Sequence, residues 1–185
     1  MGLKCHMTDQ EIFELAQAFK EATVSAYEAG LFRDDVVFRN FPTGCCGDTC
    51  DLLATFLLSY GIETIYVCGV RNRQSHAWLV LKDNRVKEPT PEFYYPDQCY
   101  VHILGKYGGE VSGPIDITRY KARDLTYGLV IDITADQFGE PSVYVGMRND
   151  FYRKFTFDSA RVCNGADTYR LRDLYNRIAA FLPAQ

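Results

Sequence analysis

The strongest constraint lies between Cys46 and Asp83, where a helix and two strands follow one another with almost no linker. Leu52, Leu53, Phe56 and Leu57 recur at the spacing of one buried helical face, so a helix is expected from about Cys46 to Tyr60, stopped by Gly61. "ETIYVCGV" (Glu63 to Val70) and "SHAWLVLKD" (Ser75 to Asp83) read as strands, with a turn over Arg71 to Gln74. Strands joined by so short a turn pair antiparallel. The expected fold is therefore α+β, with the Cys46 helix packed on an antiparallel sheet.

The flanks fit one domain over residues 1–185. "TDQE" at Thr8 to Glu11 is a capping box opening a helix that Gly30 can stop. "YGLVIDITADQF" (Tyr127 to Phe138) and "PSVYVGM" are expected to supply further strands, and a final helix is expected from an Asp167 cap to Phe181. Residues 84–126 hold four of the seven prolines and the glycines of "GKYGGEVSG". They read as an irregular insertion or lid, with a short helix over "ITRYKARDL". With 47% apolar residues, 13 Tyr and 12 Phe, a large core is available.

Charge and hydropathy narrow the partners. The net charge of −4 argues against a nucleic-acid face. No apolar run approaches the roughly 20 residues that span a bilayer. "MGLKCHMTDQ" lacks the apolar stretch of a secretory signal, so a cytoplasmic location with reduced thiols is expected. Secretion without a cleaved signal is equally compatible with that opening. Oligomeric state has no signature in the sequence.

Three of the seven cysteines crowd into "FPTGCCGDTC" (Phe41 to Cys50). A zinc cage wants paired ligands and a second pair further on; here the cysteines are adjacent, no second pair follows, and His6, His76 and His102 are scattered. No metal and no cofactor is expected. A reactive thiol has a clearer mechanism. Pro42, Gly44 and Gly47 surround a helix start at Cys46, where first-turn N–H groups and the helix dipole stabilise a thiolate and can bind an oxyanion. Asp48 in that turn suits the dipole. His76, on the strand beside the helix, is the best-placed base. Asp132 ends the apolar run "GLVIDIT", where a carboxylate is costly unless paired, and an imidazole N–H is a natural partner. A packed core histidine and ordinary buried cysteines are the competing structural roles.

Together these residues resemble a family. Gly44-Cys45-Cys46-Gly47-Asp48, Leu52-Leu53, Gly61-Ile62, His76-Ala77-Trp78 and Asp132-Ile133-Thr134 are similar to motifs of the transglutaminase-like superfamily of papain-like thiol enzymes, in the same order. "FPTGCCGDTCDLLATFLL", "HAWL" and "IDITADQFG" are similar to small bacterial proteins of that superfamily. The resemblance implies a papain-like core with Cys46 as nucleophile, chosen over Cys45 by its spacing to Gly44 and Asp48, His76 as base and Asp132 as orienter. It further suggests Asn40, six residues before Cys46, as an oxyanion donor, although Asn40 suits a turn equally well. Gln137 is a second amide near the Asp132 strand. Trp78 shares a strand face with His76 and either walls the cleft or packs in the core. The long stretch from His76 to Asp132 departs from the family pattern.

The implied activity is acyl transfer through a Cys-His-Asp triad, with hydrolysis of an amide in a protein or peptide substrate expected first. A glutamine deamidase or transglutaminase shares the same acyl-enzyme. A binding module that kept the fold and lost the chemistry is the alternative of another class.

Overall fold

The computed structural model describes residues 7–87, 92–94, 115–117 and 120–183. The chain is α+β, with a five-stranded sheet, a two-stranded ribbon and, among the described residues, four α-helices. Helix α1 (Asp9–Glu28) starts at Thr8, whose hydroxyl accepts the Glu11 N–H while the Glu11 carboxylate accepts the Thr8 N–H. A 3₁₀ turn (Phe38–Asn40) leads to helix α2 (Cys46–Ser59), and Gly61 follows in the left-handed region at φ 74°.

Strands β1 (Thr64–Arg71) and β2 (Gln74–Leu81) form a hairpin in which Arg71 faces Gln74. Asn72 and Arg73 are both left-handed, at φ 50° and 65°, as a two-residue hairpin turn compatible with sheet twist requires. Strands β3 (Glu92–Tyr94) and β4 (Ile115–Ile117) pair as the ribbon, so part of the segment expected to be irregular is sheet. The rest of the 84–126 insertion lies largely outside the described residues. Its described end forms a 3₁₀ turn, Ala122–Leu125, where the short helix was expected.

Strand β5 (Leu129–Asp132), a 3₁₀ turn (Ala135–Phe138), strand β6 (Tyr144–Met147), the single helical turn α3 (Asp150–Arg153), strand β7 (Thr156–Cys163) and helix α4 (Tyr169–Ala179) complete the order. Thr168, rather than Asp167, caps α4, its hydroxyl accepting the Leu171 N–H. The large sheet runs β6-β5-β2-β1-β7, with every neighbouring pair antiparallel.

Alternation along the strands sends side chains to two cores. Ala77, Leu79, Leu129 and Ile131 face α1, α2 and α4, meeting Phe19, Leu53, Leu57 and Ile178. Val67, Trp78, Val80 and Val130 face the other side, where Leu125, Tyr152 and Phe155 cover them. Burial on both faces is why "HAWLV" is continuously buried instead of alternating.

Candidate active site

The ladder between β2 and β5 begins at Leu79–Ile131. His76 lies just beyond it toward the hairpin, and Asp132 is the last residue of β5. His76 Nε2 is 2.6 Å from Asp132 Oδ2, with both side chains essentially sealed from solvent. A carboxylate only accepts, so Nε2 carries the proton and Nδ1 is left for another partner.

Four donors compensate the buried carboxylate. Tyr152 Oη donates to Oδ2 at 3.1 Å alongside His76. The Thr134 N–H and hydroxyl donate to Oδ1 at 2.8 and 3.2 Å. The last pair is the local turn that an aspartate makes with the residue two positions on. The threonine of "D-x-T" thereby fixes the carboxylate's orientation.

Cys46 opens α2 and is half-buried. Its neighbour Cys45 occupies the N-cap position but supplies no side-chain cap, so the first-turn N–H groups of α2 are left without one. Cys45 is fully buried, donates from Sγ to the Pro42 carbonyl at 3.2 Å and accepts from Thr49 Oγ1 at 3.6 Å. Burial pushes the Cys45 thiol up to about 12, and Cys50, one turn into α2, is likewise raised by burial. Both stay protonated thiols near neutral pH and serve as packing residues.

Burial of the His76 ring favours its neutral form. The hydrogen bond and charge of Asp132 and the neighbouring Cys46 sulfur together outweigh this, and the net is an imidazole raised to about 9. Nδ1 nevertheless makes no formed hydrogen bond. The Cys46 thiol is thus a neighbour of the ring to which no formed hydrogen bond joins it, a looseness common where substrate completes the geometry.

An aromatic sleeve surrounds the imidazole. Phe138, Phe155, Trp78 and Phe151 lie 5.0, 5.6, 5.8 and 5.8 Å from it, centroid to centroid. Room for the sleeve comes from Gly69, directly across from His76 in the hairpin. A Cβ there would sit 2.8 Å from Phe155 Cβ and 3.2 Å from the Trp78 ring.

The other expected site residues divide. Gln137 joins the site, but as a tether: Nε2 donates to the Thr134 carbonyl at 2.9 Å and Oε1 accepts the Gly44 N–H at 3.4 Å. It thereby links the loop before Cys46 to the turn that holds Asp132. Asn40 is exposed, and its carbonyl accepts the Thr43 N–H at 2.9 Å, the turn role. Trp78 is 3% exposed and packs on Tyr152 and Phe155, the core role.

Several contributors have no signal of their own in the sequence. Tyr152, Phe151 and Phe155 come from α3 and its exit, brought in by the sheet's long-range topology. Lys20 of α1 is nearly buried and donates to the Ile133 carbonyl at 2.8 Å and to Asp136 at 2.7 Å, pinning the chain just past Asp132. Its only hint is a lysine on the apolar stripe of α1.

Among the described residues, no three His, Cys, Asp or Glu side chains converge as metal ligands, and no helix is long and apolar enough to cross a membrane. Comparison with known family models, curated proteins and solved structures gives no match to this chain.

Proposed function

We propose that the chain is a thiol-dependent acyl-transfer enzyme with a papain-like, transglutaminase-like core, hydrolysing an amide bond in a protein or peptide. The observation that carries this is the buried His76–Asp132 pair, 2.6 Å apart, with the helix-starting Cys46 as the ring's other neighbour. Cys46 Sγ, whose proton rests on His76 Nδ1 so that the two form a thiolate–imidazolium pair, attacks the carbonyl carbon. The uncapped N–H groups at the start of α2 receive the developing oxyanion. The imidazolium returns the proton to the leaving nitrogen, and water, deprotonated by the same ring, releases the acyl group. Asp132 holds the tautomer and the imidazolium charge. With glutamine as acyl donor the same steps are deamidation, and with an amine in place of water they are transglutamination.

Iodoacetamide labelling at neutral pH tests the assignment. Wild type and Cys45→Ala are expected to label at Cys46, and Cys46→Ala to lose the fast label. His76→Gln is expected to slow labelling by about a hundredfold, the lower end of what a positioned base contributes. Loss of the label in Cys45→Ala with retention in Cys46→Ala would remove Cys46 as nucleophile.

A further inference from the structure

Arg71 ends β1 two residues after Gly69, so its side chain leaves the sheet on the face that carries His76. Its guanidinium carbon lies 4.8 Å from the Phe155 ring centre, 5.4 Å from Phe151 and 5.5 Å from Phe138. The same three rings touch the imidazole. Arg71 and His76 therefore rest on one shared aromatic layer.

A guanidinium seated over ring faces can still offer the N–H donors along its edge to an oxygen. Half-buried arginines elsewhere bond oxygens: Arg85 to Asp83, Arg148 to the Tyr152 carbonyl, Arg170 to Asp35 and Asp48, Arg177 to Asp34. Arg33, Arg39 and Arg73 make no such bond, but they are exposed and water serves them. Among the described residues, Arg71 is the half-buried arginine that donates to no oxygen. A fork seated on aromatic rings with free donors is matched by a carboxylate, which accepts two parallel N–H bonds.

We propose that Arg71 forms an anion subsite and that the substrate carries a carboxylate held there while its reacting carbonyl lies at Cys46. The inference rests on the acyl-enzyme chemistry of Cys46 for what the subsite serves, though the anion site itself does not need that chemistry. The carboxylate comes from a chain terminus or from an acidic side chain. The exposed Arg73 at the hairpin tip adds a second positive charge nearby.

Two measurements test the subsite. In the first, the Arg71 Nε–H resonance, assigned by its loss in Arg71→Gln, is followed during titration with N-acetylalanine, N-acetylglutamate α-amide and neutral N-acetylalanine amide. A saturating shift with a carboxylate and none with the neutral amide is expected, and the tighter of the two carboxylates identifies the source. In the second, Cys46 is alkylated by 6-maleimidohexanoate and by its methyl ester. The anionic reagent is expected to react about tenfold faster in wild type, with the ratio falling to near one in Arg71→Gln and partly restored in Arg71→Lys, while the ester rate stays the same in all three. A carboxylate titration that leaves Arg71 unmoved, or a rate ratio indifferent to Arg71, overturns the subsite even if Cys46 labels normally. A responding Arg71 beside an inert Cys46 would keep the anion site and remove the acyl-enzyme.

Discussion

His76 is charged in the folded protein well above the pH at which a free imidazole loses its proton, because the cost of burial is outweighed by Asp132 and the Cys46 thiol. Titration of the ring by NMR is expected to give about 9 in wild type and a lower value in Asp132→Asn, where the raising partner is neutral. A wild-type midpoint near the ordinary value of about 6.5 would contradict the pairing. Tyr152 is a second residue-scale test. Tyr152→Phe removes a donor from a buried carboxylate, and a loss of about 1.5–3 kcal/mol in urea unfolding is expected, the range for hydrogen bonds to charged groups. Cys46, His76 and Asp132, the proposed nucleophile, base and orienter, could be picked out in the sequence because each sits at or near the end of an element whose pattern the sequence carries: Cys46 at a helix start, His76 near a strand start, Asp132 at a strand end. Tyr152 and Arg71 were not, because their roles depend on which rings the fold gathers from residues far apart in the chain.

At the scale of elements, the β1–β2 hairpin is the frame of the site. It places Gly69 opposite His76 and Arg71 at the rim, and its turn holds Arg73 in the left-handed region at φ 65°. Arg73→Gly is expected to stabilise the protein by roughly 1 kcal/mol, since glycine adopts that conformation without a Cβ clash. Gly128 shows the opposite constraint, because a Cβ there would lie 2.3 Å from Val80 Cγ1. Gly128→Ala is expected to cost about 1–3 kcal/mol by overpacking, read as a fall in the denaturant midpoint. Strand β7 escaped the sequence because "TFDSARVC" mixes in Asp158, Ser159, Ala160 and Arg161, poor strand formers that pairing with β1 overrides. The α4 cap differed by one residue because Asp167 and Thr168 are both good caps and only the hydroxyl's geometry decides.

At the scale of the molecule, Arg170 of α4 binds both Asp35 and Asp48, joining the C-terminal helix to the loop before α2 and to the first turn of α2. Burial tends to raise Asp35, but the Arg170 bonds and the Phe38 and Val37 N–H groups bring it down to about 2. A depressed carboxyl contributes stability above its unfolded value of about 3.9, lost as pH falls through the folded one. His76 has the opposite sign. Its contribution is complete below about 6.5 and is lost as pH rises through about 9. Stability is therefore expected to be highest between about pH 4 and 6.5 as far as these two groups govern it. Arg170→Ala should lower stability at every pH above about 4, shift acid unfolding to higher pH and leave only the steepness of the alkaline limb unchanged. Thermal unfolding across pH checks both limbs, and an acid limb unmoved in Arg170→Ala would break the link between α4 and the site.

The central claim is that one thiol among seven forms a covalent acyl intermediate served by His76. Intact-protein and peptide mass spectrometry after a short reaction with p-nitrophenyl acetate tests it most directly. The expected result is an acetyl adduct on Cys46 that decays with time in wild type and does not form in Cys46→Ala. An adduct absent from Cys46, or settled permanently on another cysteine, would contradict it.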